Sequence, residues 1–330
     1  MRVIFFQRKP RPNKNFSIEI LFNQIRAHLP KEIESVTEIS SYYSNGVFKR
    51  LYIAIEAIFR QGDVNHVTGD INFITVFLKK SKTILTVLDL GFMNHPNPLV
   101  RKILLLFWVK FPVQRAGYIT AISEATKTEL LKFVNVDERK IRVLYIPVAK
   151  GMAYSPKKFN NITPVILQIG TKENKNLIRL AYALKGVNCK LDIVGELNEQ
   201  QLLALSENKI DYKSSVNISN NELRDKYEQA DLLAFISTYE GFGMPIIEAQ
   251  IVGRPVITSN LLSLPEVAGD GAHLIDPYNI EEIKNGIIKI ISDEDYRNIL
   301  IEKGKVNAVR FSVETITNQY EQLYKEIHSK

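Results

Sequence analysis

Short apolar runs alternate with longer stretches of helical period along this chain, and the alternation occurs twice. In the first series Val3–Phe6, Val36–Ile39, Asn65–Thr68, Thr83–Asp89, Tyr118–Ala121 and Ile141–Tyr145 read as strands. Between them Ser17–Leu29, with Ser17 as N-cap, Phe48–Arg60, Val100–Phe111 and Thr126–Phe133 read as helices. The second series places strands at Val165–Ile169, Leu191–Val194, Leu232–Ile236, Val256–Thr258 and Ala272–Ile275, with helices between. Strand–helix alternation predicts parallel, doubly wound sheets, so the fold class is α/β. The stretch Ala149–Pro164 breaks the rhythm with Lys150-Gly151, Ser155-Pro-Lys-Lys158 and Asn160-Asn161. The expected division is a first domain over 1–150, a linker over 151–163 and a second domain over 164–312. A last helical pattern covers about Val313–Ile327.

A length of 330 residues suits two domains, and 45% hydrophobic with 24% charged residues suits a soluble globular protein. The single cysteine, Cys189, excludes an internal disulfide, reads as a core residue and fits a reducing compartment. The start, Met1-Arg-Val-Ile-Phe-Phe, is too short for a signal peptide. No apolar run reaches the roughly 18–20 residues that span a bilayer, so a cytoplasmic protein is expected.

Charge divides the chain. Residues 1–150 carry 23 Lys and Arg against 12 Asp and Glu, a balance of +11, and the rest carries −4. A basic half points to anionic lipid, a phosphorylated acceptor or nucleic acid. No zinc-ligand array or RNA-binding signature supports nucleic acid. Arg101-Lys-Ile-Leu-Leu-Leu-Phe-Trp-Val-Lys-Phe111 sets the only tryptophan, Trp108, in an apolar run between cations. It is either an interfacial helix on an anionic leaflet or a core helix.

The segment Ser237-Thr-Tyr-Glu-Gly-Phe-Gly-Met-Pro-Ile-Ile-Glu248 carries the densest chemistry. Glu240 falls at the carboxyl end of a strand. Glu248 falls about one turn inside the next helix, whose first turn is marked by Pro245. The Gly241-Phe-Gly243 backbone lies between them. Carboxylates bind vicinal hydroxyls, and bare N–H groups at a helix start bind anions. A ligand with sugar hydroxyls at both ends and phosphates in the middle suits that arrangement, which describes a nucleotide-sugar. The strand over 165–169 ends in Gly170-Thr-Lys-Glu-Asn-Lys-Asn-Leu177. Gly170 lets the backbone approach a phosphate, and Lys175 can set a point charge on a diphosphate.

Segment 237–248 resembles the Glu-x7-Glu motif of the family-4 retaining glycosyltransferases of the GT-B fold, the glycosyl transferases group 1. The likeness continues through Ala249, Gly253-Arg-Pro-Val-Ile257, Ser263-Leu-Pro-Glu-Val267 and Asp276-Pro277, with Leu223, Tyr227 and Ala230-Asp231 upstream. It covers most of residues 163–311. It implies two Rossmann-like domains facing each other across a cleft, the first on the acceptor side and the second binding the nucleotide-sugar. It also implies that the last helix, about 313–330, crosses back to the first domain. The family's glycine loop with a basic pair and Asn is kept as Gly170, Lys175 and Asn176. Asn174 stands where the family usually has Arg, which leaves the diphosphate to Lys175 with Lys172 in reserve. In the first domain Leu85-Thr-Val-Leu-Asp-Leu90 resembles the family's Thr-x-His-Asp-Leu strand end. Asp89 matches its Asp, while Leu88 replaces the His that handles the donor sugar. His95 is a substitute for it or an ordinary loop histidine. His66 matches a second family position, on the acceptor or sugar side, or is structural. The family's Gly-Gly turn is replaced by Arg8-Lys-Pro-Arg-Pro-Asn-Lys-Asn-Phe-Ser17, whose cations serve an anionic acceptor or a solvated loop.

The resemblance implies retaining, metal-independent hexosyl transfer from a nucleotide-diphosphate-sugar to a glycan or lipid-linked acceptor, in cell-envelope polysaccharide synthesis. No cofactor is expected, and no Asp-x-Asp pair sits where a metal-dependent transferase needs one. Glu248 would hold the ribose. Glu240 would hold the sugar ring and steady positive charge at its anomeric carbon. Lys175 and Asp89 complete the catalytic set, and Gly170, Asn176, Gly241, Phe242, Gly243 and Met244 line the donor. A GT-B nucleotide-sugar epimerase and a non-catalytic sugar-nucleotide-binding partner are the alternatives. Donor turnover with an acceptor separates the three.

Overall fold

Alternation at a period of two decides how the first strands are used. The computed structural model describes residues 1–10, 17–148 and 151–330, with residues 17, 18 and 20 described by their backbone alone. The chain forms two compact units, residues 1–147 with 312–330, and residues 148–311. The first holds β1 (Arg2–Gln7), β2 (Glu34–Ile39), β3 (Val64–Val67), β4 (Thr83–Val87), β5 (Tyr118–Ala121) and β6 (Ile141–Val143) in the order β2-β1-β3-β4-β5-β6. Every pairing is parallel. Its helices are α1 (Ser17–His28), α2 (Val47–Ile58), α3 (Pro98–Leu104), α4 (Phe111–Arg115) and α5 (Glu124–Leu131). Ile4 and Phe6 of β1 point to one face and join Ile53, Ala57, Ile74, Val113 and Leu130. Val3 and Phe5 point to the other and join Phe22, Ile316, Tyr320, Leu323 and Tyr324. A strand buried on both faces reads as a continuous apolar run, which is why β1 and β4 stand out in the sequence.

The helical pattern over Val100–Phe111 is not one helix. After α3 the backbone widens to a π-helix over Leu105–Lys110 before α4 begins. Pro112 supplies the cause, because it has no N–H to give the carbonyl of Trp108. Asn72 Nδ2 donates to that carbonyl instead, at 2.9 Å. The half-buried Trp108 ring turns inward. It packs on Phe73 at 5.5 Å between centroids and lies 4.5 Å from the Arg50 guanidinium. The core reading holds for this residue, and the exposed apolar side chains of the segment are Ile103, Phe107 and Phe111.

The second unit holds β7 (Val165–Ile169), β8 (Lys190–Val194), β9 (Tyr212–Ser215), β10 (Leu232–Phe235), β11 (Val256–Ser259) and β12 (His273–Ile275). Their order is β12-β11-β10-β7-β8-β9, again all parallel. Helices α6 (Leu177–Ala183), α7 (Glu199–Glu207), α8 (Asn220–Gln229), α9 (Met244–Val252), α10 (Leu264–Ala268), α11 (Ile280–Ser292) and α12 (Glu294–Ala308) belong to it. Cys189 is buried in this core, and burial pushes its thiol up to about 11, as expected of an inert side chain. The chain then returns to the first unit as α13 (Val313–His328).

Candidate active site

Strand order chooses the site in the second unit. From β7 the chain moves outward through β8 to β9, then resumes on the other side of β7 with β10. The reversal point lies between β7 and β10, and ligands of open α/β sheets collect beyond the carboxyl ends of such strands. The loops leaving these two strands are the glycine loop at 170–176 and the acidic loop at 237–243.

The structure ties the two loops together. Lys175 Nζ lies 2.5 Å from Glu240 Oε1, with both side chains mostly buried, and 4.5 Å from the Phe235 ring centroid. Asn174 Nδ2 donates to the carbonyl of Tyr239 at 2.8 Å and to Glu240 Oε1 at 3.3 Å. The N–H of Thr238 donates back to the carbonyl of Asn174 at 2.8 Å. Asn174, which the sequence marks only as a departure from the family, therefore helps to position Glu240. Its residue type alone gave no signal of that. The Ser263 hydroxyl lies 3.0 and 2.9 Å from the carbonyls of Glu240 and Phe242 and fixes the far end of the turn. Gly170 sits at φ +87, and a Cβ there would crowd the Lys175 side chain at 3.0 Å. Gly243 opens α9 at φ +115 with no side-chain cap, and Met244 and Pro245 follow. The positive end of α9 is thus left to bare backbone.

Several expected ligand groups have other tasks. Asn176 is buried in a left-handed conformation, and its amide donates to the carbonyls of Ile236 at 3.2 Å and Pro277 at 2.7 Å. Arg179 occupies its Oδ1 at 2.9 Å, so Asn176 acts as a strut beneath the loop rather than as a donor-facing group. Phe242 is buried and packs edge-on to Phe311 at 5.7 Å, which leaves only its backbone for a ligand. Glu248 is only 7% exposed, and its Oε2 accepts from the buried Tyr227 hydroxyl at 2.7 Å. Burial pushes the Glu248 carboxyl up, and the Tyr227 bond works against that rise. Its Oε1 carries no partner among the described residues. No contact joins Glu248 to the Lys175–Glu240 pair among those described. Lys172 is exposed and makes no ion pair among the described residues.

In the first unit His66 takes the structural one of its two readings. It is wholly buried, with Nδ1 2.8 Å from the Tyr324 hydroxyl and Nε2 2.7 Å from Thr86 Oγ1. Phe5, Phe22, Tyr320 and Tyr324 surround its ring, and burial pushes it down to about 3. A neutral imidazole locked in an aromatic core touches no ligand. Asp89 is exposed beyond β4, and its Oδ1 accepts from the N–H of Gly91 at 2.8 Å. His95 is an exposed loop histidine whose Nδ1 accepts from the N–H of Asn97 at 3.1 Å. In the first loop Arg8 is paired with Glu19 and Asp70, and Lys9 donates to the carbonyl of Ser41 at 3.1 Å. Neither is a free cation. The expected N-cap of Ser17, the cations Arg11 and Lys14, and Ala149 and Lys150 lie outside what is described.

Two parallel six-stranded sheets, with a reversal-point site in the second, define the class as a GT-B protein. The likeness to solved structures agrees. Anabaena HepE in complex with UDP and glucose superposes at a TM-score of 0.77 over 99% of this chain and 100% of that one, at 15% identity. Residues 155–307 match the family described as glycosyl transferases group 1. An O-antigen chain mannosyltransferase B of Escherichia coli is 29% identical over 238 residues, 64% of this chain and 61% of the relative. O-antigen chain mannosyltransferase RfbU of Salmonella typhimurium is 30% identical over 213 residues, 62% of this chain and 59% of the relative. The chain thus matches about three fifths of the length of each.

Proposed function

We propose that the protein is a retaining, metal-independent glycosyltransferase that moves a hexose from a nucleotide-diphosphate-sugar to a glycan or lipid-linked acceptor in cell-envelope polysaccharide synthesis. The observation that carries this reading is the Lys175–Glu240 pair at the reversal point, beside the uncapped start of α9. The names of the O-antigen mannosyltransferase relatives favour a hexose donor and a surface glycan.

The chemistry follows from the charges. A bound diphosphate competes with Glu240 for Lys175 Nζ and meets the positive end of α9 at Gly243 and Met244. Leaving-group charge is then stabilised by groups already in place. Glu240, released from part of its pairing, faces the donor sugar and steadies positive charge at the anomeric carbon. Glu248 offers Oε1 to the ribose while Tyr227 fixes its other oxygen. Asp89 acts from the first unit, at the end of β4.

The acceptor side of the reading rests the first unit on an anionic membrane from the cytoplasmic face. Among the described residues no helix is long and apolar enough to cross a membrane. What supports surface contact is the outer stripe of α2, where Val47, Phe48, Leu51, Tyr52, Ile55 and the following Phe59 are exposed, Phe48 at 89% and Phe59 at 83%. Arg50, stacked on Trp108, joins that stripe to the exposed Ile103 and Phe107. Residues 39–62 and 90–123 hold seven Lys or Arg and one carboxylate, Glu56, which is paired with Arg60. Apolar side chains ringed by cations suit an anionic interface.

Thermal unfolding with UDP-, GDP- and ADP-sugars tests the donor reading, since a ligand of the native state raises Tm by mass action. One class of donor should raise Tm, Lys175→Ala should abolish the rise, and chelation with EDTA should leave wild-type turnover unchanged. Absence of any Tm rise across the panel would sink the reading.

A further inference from the structure

Arg254, from the stretch Gly253-Arg-Pro-Val-Ile257, is only 4% exposed, and no carboxylate pairs with it among the described residues. A buried arginine with no acid beside it needs another source of negative potential. Arg254 finds it at the ends of two helices. Its Nε donates to the carbonyl of Tyr227 at 3.0 Å and its Nη2 to that of Glu228 at 2.7 Å, both in the last turn of α8. Its Nη1 donates to the carbonyls of Val252 and Gly253, each at 3.3 Å, at the end of α9. Its backbone N–H donates to the carbonyl of Ala249 at 2.8 Å. One guanidinium thus caps both helices, where the last carbonyls have no partner within the helix and the dipole is negative.

The wholly buried Tyr227 is held at both ends. Its carbonyl meets Arg254, and its hydroxyl donates to Glu248 Oε2 at 2.7 Å. Glu248 stands four residues, about one turn, before Val252 on α9. The contacts close a ring. It runs from the guanidinium through the Tyr227 backbone and phenol to the Glu248 carboxylate, then along one turn of α9 to the Val252 carbonyl and back to the guanidinium. No member of a closed ring shifts alone, so the clamp on the two helix ends sets where the phenol meets the carboxylate. An ammonium, a point charge on a flexible stem, lacks the planar fork that spans both ends.

We propose that Arg254 is a positioning residue for Glu248, acting through Tyr227 to fix the carboxylate that takes the ribose. The inference rests on the reading of Glu248 as the ribose ligand. With Nε, Nη1 and Nη2 all engaged at the helix ends, Arg254 is not itself a ligand group.

The test compares UDP, GDP and ADP with inorganic pyrophosphate, by calorimetric titration of the full chain. Pyrophosphate reports the Lys175 end of the site and has no ribose. Arg254→Lys and Tyr227→Phe should each weaken the nucleotide that the wild type binds about tenfold, and leave pyrophosphate within about twofold. The double variant should bind that nucleotide no more weakly than Tyr227→Phe alone, because Arg254 acts through the phenol. A merely structural arginine would lower Tm and move both ligands alike or neither. If pyrophosphate binds too weakly to measure, the double variant decides. If Arg254→Lys does not fold, Arg254→Gln, which keeps an N–H donor for the Tyr227 carbonyl, takes its place. Failure of both to fold would assign Arg254 to the fold alone and overturn the proposal. So would parallel losses of nucleotide and pyrophosphate, an unchanged nucleotide affinity, or additive losses in the double variant. A wild type that binds none of the three nucleotides overturns the ribose reading of Glu248, and the inference with it. A wild type that binds one of them, with variants that bind it equally, overturns the inference alone.

Discussion

Glu240 and Glu248 share a motif but live in different surroundings, and their substitutions should differ accordingly. Glu240 is held by a cation and an amide, Glu248 by a buried phenol. On the proposed roles, Glu248→Ala removes a charge-assisted contact to ribose and weakens free nucleotide by about 2–3 kcal/mol. It also strands the Tyr227 hydroxyl, at a stability cost of about 1–3 kcal/mol. Adding Tyr227→Phe should recover part of the stability and none of the affinity. Glu240→Gln should spare free nucleotide and depress turnover. Nucleotide titrations with unfolding curves on all three variants check this, and equal loss of nucleotide by Glu240→Gln and Glu248→Ala would refute the division of roles.

At the scale of elements, α13 is bolted to the first sheet through His66, which gives the unit a pH signature. The folded value of about 3 lies below the ordinary 6.5, so the folded state refuses a proton that the unfolded chain accepts. The stability from this group is whole above about pH 6.5 and drains away as pH falls toward 3, by up to about 1.4 kcal/mol per pH unit. Unfolding free energies between pH 7 and 5 should therefore fall more steeply in the wild type than in His66→Gln. Parallel slopes would show that the imidazole is not held neutral. The same elements show what the sequence can disclose. Strands buried on both faces, such as β1, β4, β7 and β10, announce themselves as apolar runs. The edge strand β9 (Tyr212–Ser215), exposed over its first three residues, carries no such mark and escapes notice. The π-helix depends on which carbonyl Pro112 leaves unmet, and His66 looks like a ligand because a polar residue in an apolar strand does not reveal which neighbours will close over it. The acidic loop is legible because its spacing is chemical. The clasp between Asn174 and Glu240 is not, since it needs two loops far apart in sequence to meet.

At the scale of the whole molecule, net positive charge lies in the first unit, which also carries the exposed α2 stripe. Its binding to vesicles should rise with anionic lipid and fall with added salt, because interfacial cations contribute about 1 kcal/mol each and salt screens them. Replacing Arg101, Lys102 and Lys110 by Gln should weaken the salt-dependent part. Phe48→Ser with Phe59→Ser should remove the part that salt does not touch. Cosedimentation with vesicles measures both, and indifference of the wild type to anionic vesicles at low salt would assign the α2 stripe to another surface.

The first unit is also discontinuous in the chain, since residues 1–147 are completed by 312–330. Val3, Phe5, Phe22 and His66 meet Tyr320 and Tyr324 only after the second unit has been made. At roughly 5–20 residues per second, the ribosome takes on the order of 10–40 s to supply the missing helix. Through that interval the sheet face carrying Val3 and Phe5 has α1 against it but lacks α13. The second unit, whose chain is uninterrupted, can close first. The first strands made are thus completed by the last helix made.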